Sequence, residues 1–182
     1  NLNGSINYSY MVAEGNSSDA NEFYYNYFTQ GDDAPVIPVQ EFPLSFDQRH
    51  TLNINLDFRV PRNQKITLFG VNMPTAWGLN TFFTYGSGMP YTRTDEQGMR
   101  LGGLNEGRMP ATYRVDMRFD KDFYPFSGKT SKLRFFVEVN NLLDRRNVVN
   151  VYSRTGLADI DGYNFGLSYD PPGDATPEDV ND

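Results

Sequence analysis

The chain has 182 residues, of which 38% are hydrophobic and 15% aromatic, with 12 Tyr, 14 Phe and 1 Trp, and its net charge is -7. So many rings separate it from disordered chains, which are poor in aromatics, and the acidic balance argues against a nucleic-acid partner, which needs a basic face. With no Cys and a single histidine, His50, disulfide scaffolds, thiolate sites and most His-based constellations are excluded, and no run of about 18 apolar residues offers a membrane-spanning helix.

The chain starts at Asn1 without Met, basic region or apolar run. The expectation is a processed protein or an internal piece of a longer one. Residues Leu2 to Ala13 alternate: Leu2, Gly4, Ile6, Tyr8, Tyr10 and Val12 share one face, and Asn3, Ser5, Asn7 and Ser9 the other. Period two predicts a strand. The long polar stretch 14–47 that follows reads as a loop and contains the aromatic run Phe23, Tyr24, Tyr25, Tyr27 and Phe28.

A second strand is predicted at 51–60, with Leu52, Ile54, Leu56, Phe58 and Val60 opposing Asn53, Asn55, Asp57 and Arg59. A shorter connection, 61–76, leads to a third at 77–85, where Phe82 alone breaks the alternation. After a long loop, 86–111, the fourth strand covers 112–123, with Tyr113, Val115, Met117 and Phe119 opposing Arg114, Asp116, Arg118 and Asp120. A turn at 124–131 leads to the fifth at 132–140. Residues 144–182 read as a third long polar segment, with weak strand character at 148–152 and 163–169. The connections are rich in Gly, Pro, Asn and Asp, so no helix is expected between the strands.

Three features favour lipid over a soluble sandwich. The strands run about 9 to 12 residues, enough for a tilted bilayer crossing. Aromatics gather towards strand ends: Tyr8, Tyr10, Tyr85 and Tyr113 at one rim, and Trp77, Phe123, Tyr124 and Phe126 at the other, as in an interfacial girdle. The opposite faces carry charges through mid-strand, which require a wet or ion-paired interior. The expected fold is all-β: five or six strands of an antiparallel up-and-down transmembrane β-barrel, with long loops outside and short turns in the periplasm. Because every backbone group in lipid must be paired and the smallest closed barrels have about eight strands, such a set would be part of a larger barrel.

Four strings resemble the C-terminal barrel of TonB-dependent outer-membrane receptors, in particular the branch with a carboxypeptidase-regulatory-like extension. They are Phe46-Asp47-Gln48-Arg49-His50-Thr51-Leu52-Asn53, Tyr85-Gly86-Ser87-Gly88-Met89-Pro90-Tyr91-Thr92, Gly107-Arg108-Met109-Pro110 before Tyr113-Arg114-Val115-Asp116, and Val139-Asn140-Asn141-Leu142-Leu143-Asp144-Arg145-Arg146-Asn147. Their order covers roughly residues 40–156. The resemblance implies a 22-stranded barrel with an N-terminal plug that imports bulky ligands across the bacterial outer membrane with energy from TonB. On that reading this chain is about a quarter of a receptor, without plug, TonB-contacting segment or closing strand. Its partners would be outer-membrane lipid and lipopolysaccharide, the rest of its own barrel and plug, and TonB through the missing N-terminal part.

The candidate residues follow. The aromatic run Phe23 to Phe28 is the ligand-contact candidate, since stacked rings grip sugars, chelates and apolar peptides; the alternative is barrel wall or loop packing. Asp57, Arg59, Arg114, Asp116, Arg118, Asp120, Arg134 and Glu138 are expected as a lumen charge network, paired across strands. His50 reads as a structural hydrogen-bonding residue, because no second nitrogen or sulfur ligand accompanies it. The acidic loop residues, among them Glu14, Asp19, Asp159 and Asp161, lack the spacing of a calcium loop and read as solvated surface. Neither cofactor nor metal is expected, and no nucleophile, phosphate loop or positioned base suggests an enzyme. The rivals to a transporter are a structural barrel partner in an outer-membrane complex and a soluble aromatic-rich β-sandwich that binds carbohydrate.

Overall fold

The computed structural model describes residues 1–19, 21, 40–68, 70–126 and 131–162. In chain order the strands are β1 (Leu2–Tyr10), β2 (Glu14–Gly15), β3 (Phe42–Pro43), β4 (His50–Val60), β5 (Thr67–Leu68), β6 (Val71–Asn72), β7 (Trp77–Gly86), β8 (Pro90–Tyr91), β9 (Gly107–Arg108), β10 (Thr112–Phe123) and β11 (Leu133–Val139). There is no helix among the described residues. The chain divides into two compact units: Asn1–Tyr10 with His50–Gly86 and Tyr113–Asn147, and Met11–Arg49 with Ser87–Thr112 and Val148–Asp182.

The first unit is one antiparallel sheet in the order β1-β4-β7-β10-β11, so sequential long strands lie side by side. The short β5-β6 pair forms part of the connection between β4 and β7. Among the described residues the sheet does not close into a barrel, and β1 and β11 are its outer strands. The register lines up the alternation from strand to strand. Leu2, Phe58 and Leu79 lie in one row, Ile6, Ile54 and Phe83 in the next, and Tyr8, Leu52 and Tyr85 in a third. One face is therefore apolar. The other carries Asn3 beside Asp57 and Asn80, and Ser5 beside Asn55 and Phe82. Phe82, the exception to the sequence pattern, does point to the polar side.

A soluble sheet would cover its apolar face. Here Ile6 is 70% exposed, and Leu2, Tyr8, Leu56, Phe119, Phe135 and Val137 are exposed as well. Among the described residues only Val60 and Val151 are buried hydrophobics. Each such side chain left in water forgoes roughly 1.5–3 kcal/mol of burial.

Three sequence expectations shift. The first strand stops at Tyr10 instead of Ala13: the regular register ends at Tyr10 opposite His50, and beyond it single bonds from the Met11 N–H to the Arg49 carbonyl and from the Leu44 N–H to the Ala13 carbonyl take over. Residues 148–152 form no strand, and 163–169 lie outside the described residues. The stretch 86–111 is not plain loop: β8 pairs with β9, and Thr94 bridges Arg100.

The fifth strand ends after Val139, and the following residues continue the edge of β10 by other means. Asn141, with φ 53°, donates its N–H to Asp116 at 2.8 Å, and the Leu142 N–H reaches the Val115 carbonyl at 2.7 Å. The Asn147 amide then satisfies both backbone groups of Tyr113, accepting from its N–H at 3.0 Å and donating to its carbonyl at 2.9 Å. A side-chain amide carries the same donor and acceptor as a backbone peptide, so it can stand in for one. The Arg145 guanidinium lies 4.4 Å from the Tyr113 ring centre.

Candidate functional site

The polar face of the sheet concentrates charge at its β4-β7-β10-β11 side. Arg59 on β4 pairs with Asp57 at 2.8 Å and reaches the buried Asp120 on β10 at 3.5 Å. The intervening strand β7 allows this because Gly78 stands opposite Arg59. A Cβ at Gly78 would lie 3.0 Å from an Asp120 carboxylate oxygen and 3.3 Å from an Arg59 terminal nitrogen. Asp120 also lies 3.9 Å from Arg134 on β11, whose fork grips Asp122 at 2.5 and 2.9 Å, and Lys132 approaches Asp122 at 3.5 Å. A chain of alternating charges thus runs Asp57, Arg59, Asp120, Arg134, Asp122, Lys132.

The remaining predicted charges behave differently. Arg118 and Glu138 stand opposite each other and pair at 3.2 Å, with Arg118 also 4.4 Å over the Phe136 ring. Arg114 does not pair across strands; its partner is Asp116 on the same strand at 2.8 Å. Asp122 and Lys132 were absent from the expected network. Asp122 sits near a strand end, and its place directly opposite Arg134 appears only once the register is known.

Aromatic side chains mark both ends of the apolar face. At one end the Tyr8 hydroxyl and His50 Nδ1 are 2.8 Å apart, and the Tyr8 and Tyr10 rings lie 6.2 and 5.2 Å from the imidazole. Tyr85 occupies the row of Tyr8. At the other end Trp77 contacts Phe58 at 5.3 Å and Phe119 at 5.8 Å, Phe123 meets Phe135 edge-on at 5.5 Å, and Arg62 lies 4.2 Å over Tyr124. The Trp77 indole N–H donates to the Pro74 carbonyl at 2.8 Å.

The second unit gathers three of the strings that are scattered in sequence. Asp47, with 0% of its surface exposed, is the centre. Its carboxylate accepts the Ala13 N–H at 3.0 Å, the Arg49 Nε at 3.4 Å and an Arg108 terminal nitrogen; the other Arg108 nitrogen donates to the Asp47 carbonyl at 2.5 Å. The Gln48 amide donates to Ser87 at 3.1 Å. Gly88 runs so close to the Met109 carbonyl that any Cβ there would overlap it, which explains a glycine before the β8-β9 pairing. Asn105, at φ 53°, donates its amide to the Pro43 carbonyl at 2.8 Å and exchanges hydrogen bonds with the Thr92 hydroxyl. Burial pushes the Asp47 carboxyl up, but the Arg108, Ala13 and Arg49 bonds outweigh it and hold it below the ordinary value of 3.8.

Beside this node opens a cleft of about 510 Å³, lined in part by Glu41, Phe42, Arg49, Arg100, Glu106 and Arg108. It is not legible in the sequence, because nothing in the pattern couples Asp47 to Arg108 across the intervening chain. The aromatic ligand candidates Phe23, Tyr24, Tyr25, Tyr27 and Phe28 lie outside the described residues. Among the described residues no group of three His, Asp or Glu side chains is placed to hold a metal, and no helix is long and apolar enough to cross a membrane, which leaves crossing by strands open. No known family model matches the chain, and neither a curated protein nor a solved structure matches it.

Proposed function

We propose that the chain is a wall segment of a bacterial outer-membrane β-barrel of the TonB-dependent receptor kind, serving energised uptake of a bulky ligand. The observation that carries this reading is the single-layer sheet: an open apolar face with rings at both ends, backed by a face of paired charges. Lipid is a solvent in which the apolar face is an asset, whereas in water it would drive aggregation. Trp77 and Tyr85 are eight residues apart on β7. At about 3.3 Å per residue and a tilt of about 40° their separation spans roughly 20 Å of height, close to the apolar band of such barrels. The charges of Arg59, Asp120 and Arg134 would face the lumen, and the long connections after β1, β7 and β11 would face outside. The plug, TonB contact and remaining strands belong to the rest of that protein. Against a carbohydrate-binding sandwich stands the lack, among the described residues, of a second sheet of comparable size, the other three being two-stranded pairs two residues long.

The test uses the absence of native Cys. Single cysteines replace Ile54 and Asn55, neighbours on opposite faces, in the protein inserted in outer membranes. A water-soluble maleimide is expected to label the Asn55→Cys protein at least tenfold faster, and bromine-bearing acyl chains to quench a probe at position 54 only. Equal labelling, or quenching at both sites, would overturn the barrel reading.

A further inference from the structure

The cleft of the second unit presents both signs of charge on a partly apolar wall, and its charges are unequally spent. Arg108 uses both terminal nitrogens on Asp47. Arg49 engages Asp47 only through Nε, which leaves its two terminal nitrogens. Arg100 is held in place by a backbone bridge to Thr94, and among the described residues its guanidinium has no hydrogen-bond or ion-pair partner. On the same lining, Glu106 accepts the Gly103 N–H at 2.7 Å with one oxygen, and Glu41 is exposed. Two guanidiniums and two carboxylates therefore remain to be matched, beside Phe42. A buried carboxylate that orients one of the arginines is a feature of a built site, because Asp47 fixes the stem of Arg49 and leaves its outer edge free for a planar anion.

We infer that this cleft binds a short zwitterionic peptide by its two ends, with the terminal carboxylate on Arg49 and Arg100 and the terminal amine on Glu41 and Glu106. The lining balances charge, so a purely anionic ligand gains at the arginines and loses at the glutamates, and the -7 chain repels it at long range. A volume of about 510 Å³ falls within the roughly 300–1,000 Å³ of small-molecule clefts and takes a few residues, not a polymer. Phe42 gives a side chain apolar contact. The inference deepens the receptor reading, since it places ligand contact in loops that the reading puts outside, but it does not depend on energised uptake.

The experiment is calorimetry with the full protein in detergent micelles and the tripeptide Ala-Leu-Ala, compared with its N-acetylated and C-amidated forms. Blocking either end is expected to weaken binding at least about tenfold, since it removes the charge that two side chains share. Arg100→Gln should weaken the free peptide severalfold and shrink the penalty for amidation, because Arg49 alone then holds the carboxylate, and Glu41→Gln should shrink the penalty for acetylation in the same way. Lys65→Gln, an exposed change in the other unit, should leave binding unaltered. Both cleft positions are exposed and outside the Asp47 node, so circular dichroism should match the parent. Equal affinity for free and blocked peptides, full competition by inorganic phosphate, no heat with any form, or indifference to Arg100→Gln would each overturn the inference. Failure here together with the expected Ile54 and Asn55 labelling would leave the barrel reading standing, whereas the reverse pattern would remove the barrel and keep the cleft.

Discussion

The sheet and the loop node of this chain are held together by different means. In the sheet, order comes from ladders of backbone hydrogen bonds between strands of 7 to 12 residues, and only Val60 and Asp120 of its described side chains are buried. In the loop unit strand pairs are two residues long, and order comes from side chains that bind backbone: Asp47 to Ala13, Arg108 to Asp47, Gln48 to Ser87, Asn105 to Pro43. A ladder spreads stability evenly, so no single side chain is indispensable. A node concentrates it, so one substitution can undo a region.

That contrast can be broken at three points. The largest effect is expected for Asp47→Ala, which leaves Arg108, Arg49 and the Ala13 N–H without their shared acceptor. The loss should be roughly 3–5 kcal/mol of local stability. It should appear as faster hydrogen exchange at residues 13, 44 and 105–109, with the β4 and β7 amides unchanged; a sheet that loosens equally would erase the distinction. The same amides carry a pH signature. Because the folded carboxyl lies below the ordinary 3.8, its stabilisation is complete above that value and fades as the pH falls through the folded value beneath it. Exchange protection should therefore be flat from neutral pH to about 5 and fall below 3.8 in the loops before the sheet.

A smaller effect separates the two faces of the sheet. Ile54→Arg, at the middle of the apolar face between Ile6 and Phe83, should cost roughly 2–4 kcal/mol in lipid vesicles, read by urea unfolding, whereas Asn55→Arg on the polar face should cost little. Similar costs at both positions would mean that neither face meets hydrocarbon. The smallest effect is expected at Gly78→Val, about 1 kcal/mol, because the added carbons occupy the path between Arg59 and Asp120. In a double-mutant cycle, Arg59→Gln should then cost less in the Gly78→Val background than in the parent. An unchanged cost would show that the two charges do not interact across β7.

The sequence spoke about these regions unequally. Period two in residues 2–13, 51–60 and 112–123 is a local signal, repeated every second residue, and the observed strands start and end within about three residues of it. The loop node has no such signal. Asp47 and Arg108 lie far apart in the chain, each is an ordinary charged residue beside polar neighbours, and only the folded backbone makes them partners. The strings Phe46-Asp47-Gln48-Arg49 and Gly107-Arg108-Met109-Pro110 stand out by resemblance, but nothing in them marks Asp47 as the partner of Arg108, whereas His50, read as a structural hydrogen-bonding residue, meets the Tyr8 hydroxyl at the sheet end. Charge pairing was legible as a tendency but not in detail, because whether Arg134 meets Asp120 or Asp122 depends on register.

Gly78 bears on that register. A strand whose side chains alternate can slip by two residues and keep every apolar group on the apolar face, so patterning alone is blind to such an error. In β7 a two-residue slip would bring Asn80 or Ala76 to the place now left empty between Arg59 and Asp120. Only the native alignment leaves that gap open, so the missing side chain works as a keyway that tilts the choice of register: each neighbouring alignment puts at least a Cβ into the contact between Arg59 and Asp120.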